Sequence, residues 1–243
     1  MLSYYPYGSL LSGILLGGSL MFLLGLIDDV YNLDAKFKLI VQLSIATIVY
    51  LLGVKIDTLF NPFGSAIDLG LFSYPITILW IVGVTNAVNF IDGVDGLAGS
   101  VITVNSIALA LVAVAMTPAQ PITALIAFIL AGSMLAFLTF NFNPAKIFMG
   151  DTGSLSLGAT LGIIAILTRH ELLLIVIGFV FVIETLTCVI QRLYYKATRK
   201  RLFPMTPIHH TFEKYLEERE VVKIFWIVGL FMSLLALIYG VWL

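Results

Sequence analysis

The sequence predicts an all-α protein, a polytopic membrane helix bundle, and its composition is the first reason. The chain has 243 residues, of which 60% are hydrophobic and only 11% charged, whereas a soluble domain is typically about 25% charged. Apolar runs of the length that crosses a bilayer, about 20 residues, recur along the whole chain. A single cysteine, Cys188, excludes a disulfide scaffold, and the high apolar content excludes disorder.

Eight apolar segments are candidate membrane spans. No Lys or Arg precedes the first, so it lacks the basic start of a cleavable signal peptide. Between the second and third, residues 55–73 combine turn residues with short apolar runs, which predicts a small β-hairpin. The eight segments are residues 9–27, 37–54, 74–90, 97–116, 121–140, 155–168, 172–195 and 221–242.

The charged residues alternate with the spans. If successive loops lie on opposite sides of the membrane, Lys55 and Arg169 fall on one side and the other 11 of the 13 Lys and Arg residues on the other. The positive-inside rule makes the second side cytoplasmic and places both termini outside. Most carboxylates follow the same alternation. The sequence therefore predicts that loops carrying five aspartates meet in one cytoplasmic acidic patch, formed by Asp28, Asp29, Asp92, Asp95 and Asp151.

The first cluster is the pair Asp28-Asp29, which ends an apolar helix. Adjacent carboxylates share a cation or raise each other's pKa, and negative charge at a helix C-terminus opposes the helix dipole. A solvated helix end is the alternative interpretation, since Lys36 and Lys38 follow closely in the sequence.

The second cluster lies between the third and fourth spans, where Asn86, Asn89, Asp92 and Asp95 recur every three residues. This spacing places them on one face of a helix or tight turn. Polar residues at membrane depth are costly and mark functional sites, so we favour a ligand site over a plain connecting loop.

The third cluster is the glycine-flanked turn at residues 150–154, which leads into the sixth span. Its backbone N–H groups suit phosphate and Asp151 suits a hard cation. The turn is not a Walker loop, because no Gly-Lys-Ser/Thr follows, and a simple helix N-cap is the alternative. Nearby Phe148 is either an interfacial aromatic or a surface on which a base stacks.

The fourth cluster, His209 and His210, lies in the longest cytoplasmic segment, shortly after Pro207. Adjacent histidines on a helix face different directions and no cysteine is close by, so we do not expect zinc. Donation to phosphate, or packing, fits better. Glu184 lies well inside the seventh span, which indicates a functional or interhelical role, and Gln191 follows two turns later.

Together these motifs identify a family resemblance. "GLIDD", "NAVNFIDGVDGLAGS", "NFNPAKIFMGDTGSLSLG" and "RLFPMTPIHHTFE", in that order, resemble the polyprenyl-phosphate N-acetylhexosamine-1-phosphate transferases, glycosyltransferase family 4. The histidine segment is most similar to the phospho-N-acetylmuramoyl-pentapeptide transferases of peptidoglycan synthesis. That branch usually has Lys where this chain has Asn32 and a third His where it has Thr211. "GLIDDVYNLDAKFK" looks more like the GlcNAc-1-phosphate transferases of surface polymers, which remain the alternative.

The resemblance implies an enzyme of the bacterial cell membrane with a cytoplasmic active site, Mg²⁺ and often a homodimer. A UDP-linked sugar would give its phosphosugar to polyprenyl phosphate, releasing UMP, with no nucleic acid involved. In the muramoyl branch the product is lipid I. The family has ten spans, so residues 1–243 are expected to be a single transferase domain lacking the first two family helices. An ion-coupled transporter and an inactive nucleotide-sugar binder are alternatives of other classes.

The resemblance also implies roles for individual residues. Asp151 would be the Mg²⁺ ligand, and Asp28 and Asp29 would orient or deprotonate the lipid phosphate. Lys38 would contact phosphate, and His209 and His210 would contact the substrate. The remaining positions would shape the sugar-nucleotide pocket, with Asp95 near the uracil and Phe148 stacked on it: Asn86, Asn89, Asp92, Asp95, Asn141, Phe148 and Gln191.

Overall fold

The computed structural model describes residues 7–59, 67–116, 119–168 and 171–242 and consists of helices packed side by side, with one short hairpin. The predicted all-α membrane bundle is confirmed. In chain order the elements are α1 (Tyr7–Tyr31), α2 (Ala35–Leu51), β1 (Thr58–Leu59), β2 (Ile67–Asp68), a 3₁₀ turn (Gly70–Phe72), α3 (Ser73–Ile91), α4 (Leu97–Ala115), α5 (Pro121–Asn141), α6 (Gly150–Thr168), α7 (Glu171–Ile177), α8 (Phe179–Thr198), α9 (His209–Phe212) and α10 (Glu218–Trp242).

Six helices in the described ranges are long and apolar enough to cross a membrane, and they correspond to six of the eight predicted spans. They are α1, α3, α4, α5, α6 and α10. The second predicted span is the 17-residue helix α2. The seventh is divided at Gly178 into the seven-residue α7 and the longer α8. For these two segments, membrane crossing stays a prediction.

The predicted hairpin in residues 55–73 is also confirmed. β1 and β2 pair antiparallel, with Thr58 opposite Asp68 and Leu59 opposite Ile67. The connecting residues 60–66 lie outside the described part of the chain, as do Arg169 and residues 1–6.

Helix α6 is the centre of the bundle. Twelve of its 19 residues are buried, and it packs antiparallel against both α1 and α3. On the α1 side, a Cβ at Gly25 would lie 2.2 Å from the Asp151 carbonyl oxygen, and one at Gly17 would lie 2.8 Å from Ile163. Residues without side chains therefore allow the two backbones to approach, which brings the end of α1 to the start of α6.

On its other side α6 is fixed to α3 by hydrogen bonds as well as by packing. The Trp80 indole N–H donates to the Gly162 carbonyl at 3.1 Å, and a Cβ at Gly158 would lie 2.7 Å from the Thr85 Cα. α4 and α5 form a second antiparallel pair, with Gly99 against Leu138. Four helix ends, those of α1, α2, α3 and α6, consequently lie together at one end of the bundle.

Candidate active site

The centre of this bundle end is an ammonium group shared by two carboxylates. Lys38, in the first turn of α2, lies 2.7 Å from Asp28 Oδ2 and 2.6 Å from Asp151 Oδ2. Asp28 is near the end of α1 and also accepts the Leu33 backbone N–H at 2.8 Å. The two aspartates are 123 positions apart in the sequence. The structure thus brings the first and third sequence clusters into one charged group, which we call the Lys38 cluster (Asp28, Lys38 and Asp151).

Asp29 points to the start of α6 instead. Its carboxylate accepts the backbone N–H groups of Asp151 and Thr152, each at 2.9 Å, and the Thr152 hydroxyl at 2.6 Å. The first N–H groups of a helix have no partner within it and favour negative charge. Gly150 has φ +63°, and a Cβ there would lie 2.8 Å from Asp29 Oδ2. Asp29 is therefore a cap supplied to α6 by α1.

Asn89 connects α3 to the same cluster. Its amide donates to Asp151 Oδ1 at 2.8 Å and to the Ser154 hydroxyl at 2.9 Å. One turn earlier, Asn86 donates to the buried Gln42 of α2 at 2.7 Å. The three-residue spacing of the second motif thus gives two cross-helix contacts, one holding Asp151 and one joining α2 to α3.

The α3–α4 turn is tied to the α5–α6 loop by the next residues of that motif. Asp95 Oδ2 accepts the Ala145 N–H at 2.9 Å. Asn141 accepts the Gly96 N–H at 3.0 Å and donates to the Ile147 carbonyl at 2.9 Å. These side chains hold loop backbone, and the predicted nucleotide-pocket roles of Asp95 and Asn141 stay predictions.

Asp92 lies in the same turn and faces other negative charges. Burial, together with the carboxylates of Asp151 and Asp29, raises the pKa of Asp92 to about 7. A charge at this position is unfavourable unless a cation or donor group is added nearby. The predicted acidic patch therefore includes Asp92 along with the Lys38 cluster and Asp29.

Both histidines lie against this turn. A Cβ at Gly93 would be 3.2 Å from His209 Nε2 and 3.3 Å from His210 Cε1. The His209 side chain has no exposed surface, whereas that of His210 is 32% exposed. The predicted substrate contacts of His209 and His210 both stay predictions.

The last two predicted residues lie in different settings. Phe148 is 77% exposed in the loop before α6, so its ring is free to meet a partner. Gln191 of α8 accepts the Leu202 and Phe203 N–H groups, each at 2.9 Å. Its oxygen holds the loop after α8, and its predicted contact with a sugar nucleotide stays a prediction.

Several contributors to the site were missed by sequence reasoning. Gln42, Thr152 and Ser154 pair with predicted residues across helices, and Glu213 binds the His210 imidazole at 2.5 Å. A polar residue in an apolar helix was the available signal for Gln42. The others are ordinary turn residues whose partners lie far away in the sequence.

The two departures from the muramoyl pattern have structural explanations. Asn32 adopts φ +53° where α1 ends, a conformation that asparagine tolerates better than lysine. The Thr211 hydroxyl donates to the Met205 carbonyl at 2.7 Å and accepts the Met205 N–H at 3.2 Å. Each residue stabilises a chain reversal next to a motif.

Comparison with known proteins gives the same family as the motifs. The model of glycosyl transferase family 4 matches residues 11–169. The phospho-N-acetylmuramoyl-pentapeptide-transferase of Halalkalibacterium halodurans is 41% identical, with 90% of this chain and 71% of the relative covered. Those of Shouchella clausii and Bacillus cytotoxicus are 42% and 41% identical, each over 91% of this chain and over 71% and 72% of the relative. The chain therefore belongs to glycosyl transferase family 4, among relatives that are phospho-N-acetylmuramoyl-pentapeptide-transferases.

Proposed function

We propose that the chain transfers phospho-N-acetylmuramoyl-pentapeptide from its UDP-linked donor to undecaprenyl phosphate, releasing UMP and forming lipid I. The observation that carries this proposal is the convergence of Asp28, Lys38, Asn89 and Asp151 from four helix ends. Transfer between two anionic phosphates requires charge neutralisation and fixed positions for both partners. A lipid acceptor also requires the site to lie at a membrane surface, where the head group can meet a water-soluble donor.

The residues present fit Mg²⁺. The cluster offers carboxylate oxygens, which Mg²⁺ prefers, and Mg²⁺ typically takes only one or two carboxylates and completes its shell with water and substrate phosphates. We assign Asp151 as the protein ligand. When bound, Mg²⁺ would neutralise the donor diphosphate.

The protein groups around Asp151 then have separate tasks. Lys38 donates to a phosphate oxygen, and Asn89 holds the Asp151 carboxylate in place. Asp28 or Asp29 accepts the last proton of the acceptor phosphate. Both carboxylates accept hydrogen bonds in the resting site, Asp28 from Lys38 and the Leu33 N–H and Asp29 from the start of α6. Asp92 and Phe148 face the donor side, where an exposed aromatic ring suits stacking on a uracil base.

A donor comparison tests the proposal. The full chain is reconstituted in nanodiscs with undecaprenyl phosphate and Mg²⁺, and UMP release is measured with UDP-MurNAc-pentapeptide and with UDP-GlcNAc. We expect release with the first donor, formation of the lipid product, and loss of both in EDTA. Release with UDP-GlcNAc alone would assign the chain to the surface-polymer branch. Nucleotide-sugar binding without release from either donor would refute the transferase proposal.

We further propose that the site faces the cytoplasm, that both termini are external and that the enzyme acts as a homodimer. The charge alternation supports this orientation, because the order of spans along the sequence assigns 11 of the 13 Lys and Arg residues to the side of the Lys38 cluster. In a Cys188→Ser background, Thr198→Cys should be labelled only from the cytoplasm and Asp57→Cys only from outside. The mass of the detergent-solubilised particle tests the dimer.

A further inference from the structure

Glu184 is a carboxylate in the interior of the protein, on α8, and its side chain has no exposed surface. Its Oε1 lies 3.3 Å from His209 Nδ1, an ion-pair distance at which the two atoms do not form a hydrogen bond, and its Oε2 accepts the His209 backbone N–H at 3.4 Å. An isolated buried carboxylate is strongly unfavourable. A carboxylate beside one ring nitrogen of a histidine fixes the proton on that nitrogen and orients the ring. Glu184 is therefore placed to hold His209 with a proton on Nδ1.

Neither ring nitrogen of His209 forms a hydrogen bond within the described part of the chain. Nε2, the nitrogen farther from Glu184, lies against Gly93, where a Cβ would be 3.2 Å away. His209 thus fills the space directly beneath the turn that carries Asp92. Because the ring is completely buried, a substrate cannot reach it while this turn is in place.

His210 has the opposite arrangement. Its Nδ1 lies 2.5 Å from Glu213 Oε2, and its side chain is 32% exposed. Its ring packs edge to face on that of His209, with the centroids 4.2 Å apart. Nε2 of His210 lies 3.4 Å from the Cβ position of Gly93. With Nδ1 already bound, Nε2 is the nitrogen of His210 that remains available to a ligand.

We propose that the two adjacent histidines have different tasks. His210 donates from Nε2 to a substrate phosphate, whereas His209 is a positioning residue that Glu184 holds beneath the Asp92–Gly93 turn. The inference rests on the proposed function, because that function supplies the substrate phosphate to which His210 donates. It also makes Glu184, on the divided seventh segment, part of the support of the site.

Paired amide substitutions test this division, because the amide nitrogen of Asn occupies the place of Nδ1 and that of Gln the place of Nε2. At position 209 we expect His209→Asn to keep at least a tenth of the UMP release rate and His209→Gln to lose about a hundredfold. At position 210 the order should be reversed. The same order at both positions, or better activity in His209→Gln, would overturn the proposal.

A second measurement separates positioning from loss of fold and from the choice of donor. The chain has three histidines, so ¹⁵N-histidine labelling gives few ring signals, and His209→Asn assigns its own. We expect Nδ1 of His209 to be protonated in the unsubstituted chain, with the proton moved to Nε2 or exchanging in Glu184→Gln. The control is Glu217→Gln, at an exposed position between α9 and α10. It should leave the histidine spectrum unchanged. An unchanged His209 signal in Glu184→Gln would refute the pairing, whichever UDP-sugar is the donor.

Kinetics complete the test. Substitution of a residue that orients a site residue typically lowers activity by a factor of about 10–100. Glu184→Gln should therefore lower kcat about tenfold, with little change in KM for the UDP-sugar. Glu184→Gln and His209→Gln should be non-additive when combined, because each removes the same contact. Additive losses, or a rise in KM alone, would contradict a positioning role.

Discussion

The molecule contains two groups of buried or partly buried ionisable side chains, the Lys38 cluster and the Glu184–His209 pair, and their surroundings differ. In the Lys38 cluster the ion pairs are 2.6 and 2.7 Å long, and the Lys38 and Asp151 side chains are about a fifth exposed. In the Glu184–His209 pair the distance is 3.3 Å, neither side chain has exposed surface, and neither ring nitrogen of His209 forms a hydrogen bond with the described residues. The first group is partly open to solvent, whereas the second is enclosed by the protein.

This difference follows from position. The Lys38 cluster lies where four helix ends meet and is partly exposed, so water can replace a contact that is lost. The Glu184–His209 pair lies under a turn, where a lost contact is not replaced by water. Substitutions in the cluster should therefore act on chemistry and cation dependence, and substitutions that disturb the helix packing should affect the two groups unequally.

The largest expected effect is at Asp151. Asp151→Asn has one acceptor oxygen in place of two, so it can accept from Lys38 or from Asn89 but not from both. It also removes the charge that would bind Mg²⁺, so UMP release should fall about a thousandfold. A variant with more than a tenth of the original rate would remove Asp151 from the chemistry and contradict the contrast drawn between the two groups.

Lys38→Met should have the next largest effect. Without the ammonium group, the Asp28 and Asp151 carboxylates face each other, which should lower the free energy of unfolding by about 2 kcal/mol in EDTA and activity about a hundredfold. Millimolar Mg²⁺ should restore part of the thermal stability, because it replaces the missing positive charge. Lys36→Met, on the exposed face of the same first turn, is the matched control, and equal behaviour of the two variants would argue against the cluster.

Gly25→Ala tests whether the α1–α6 contact assembles the cluster. The added Cβ would lie 2.2 Å from the Asp151 carbonyl oxygen, so the two helices must separate, at a cost of about 1–3 kcal/mol. We expect about a tenfold loss of UMP release with the His209 ring signals unchanged. Gly132→Ala, where a Cβ meets no atom within 4 Å, should keep both. A changed His209 spectrum in Gly25→Ala would show that the two groups are coupled.

The sequence predicted most of the helices and the convergence of the aspartate motifs, because hydropathy and charge alternation are local signals. It did not predict the division of the seventh segment at Gly178, since a glycine in an apolar run gives the same hydropathy as a continuous helix. Nor did it predict that Asp29 caps α6, 122 positions away. Pairings such as Glu184 with His209 depend on how helices pack, and packing is set by side-chain shape rather than by any pattern along the chain.

The smallest effect is expected at Asp92, which lies between the two groups. The negative charges of Asp151 and Asp29 act on its carboxyl group, and its neighbour Gly93 packs against His209. Its pKa is about 7 in the folded chain against 3.8 as the ordinary value. Below about pH 4 the Asp92 carboxyl is neutral in both the folded and the unfolded chain, so it does not oppose folding. As the pH rises from about 4 to about 7, the carboxyl ionises in the unfolded chain before it does so in the folded chain, and the free energy of unfolding falls.

In EDTA, Asp92→Asn should gain in melting temperature relative to the original chain between pH 5 and pH 8. The gain is equivalent to at most about 3 kcal/mol and is reduced by solvent because the side chain is partly exposed. If the difference in melting temperature between the two proteins does not change across this pH range, the carboxylates of Asp151 and Asp29 do not raise the pKa of Asp92. Asp92 would then be grouped with the buried His209 rather than with the Lys38 cluster.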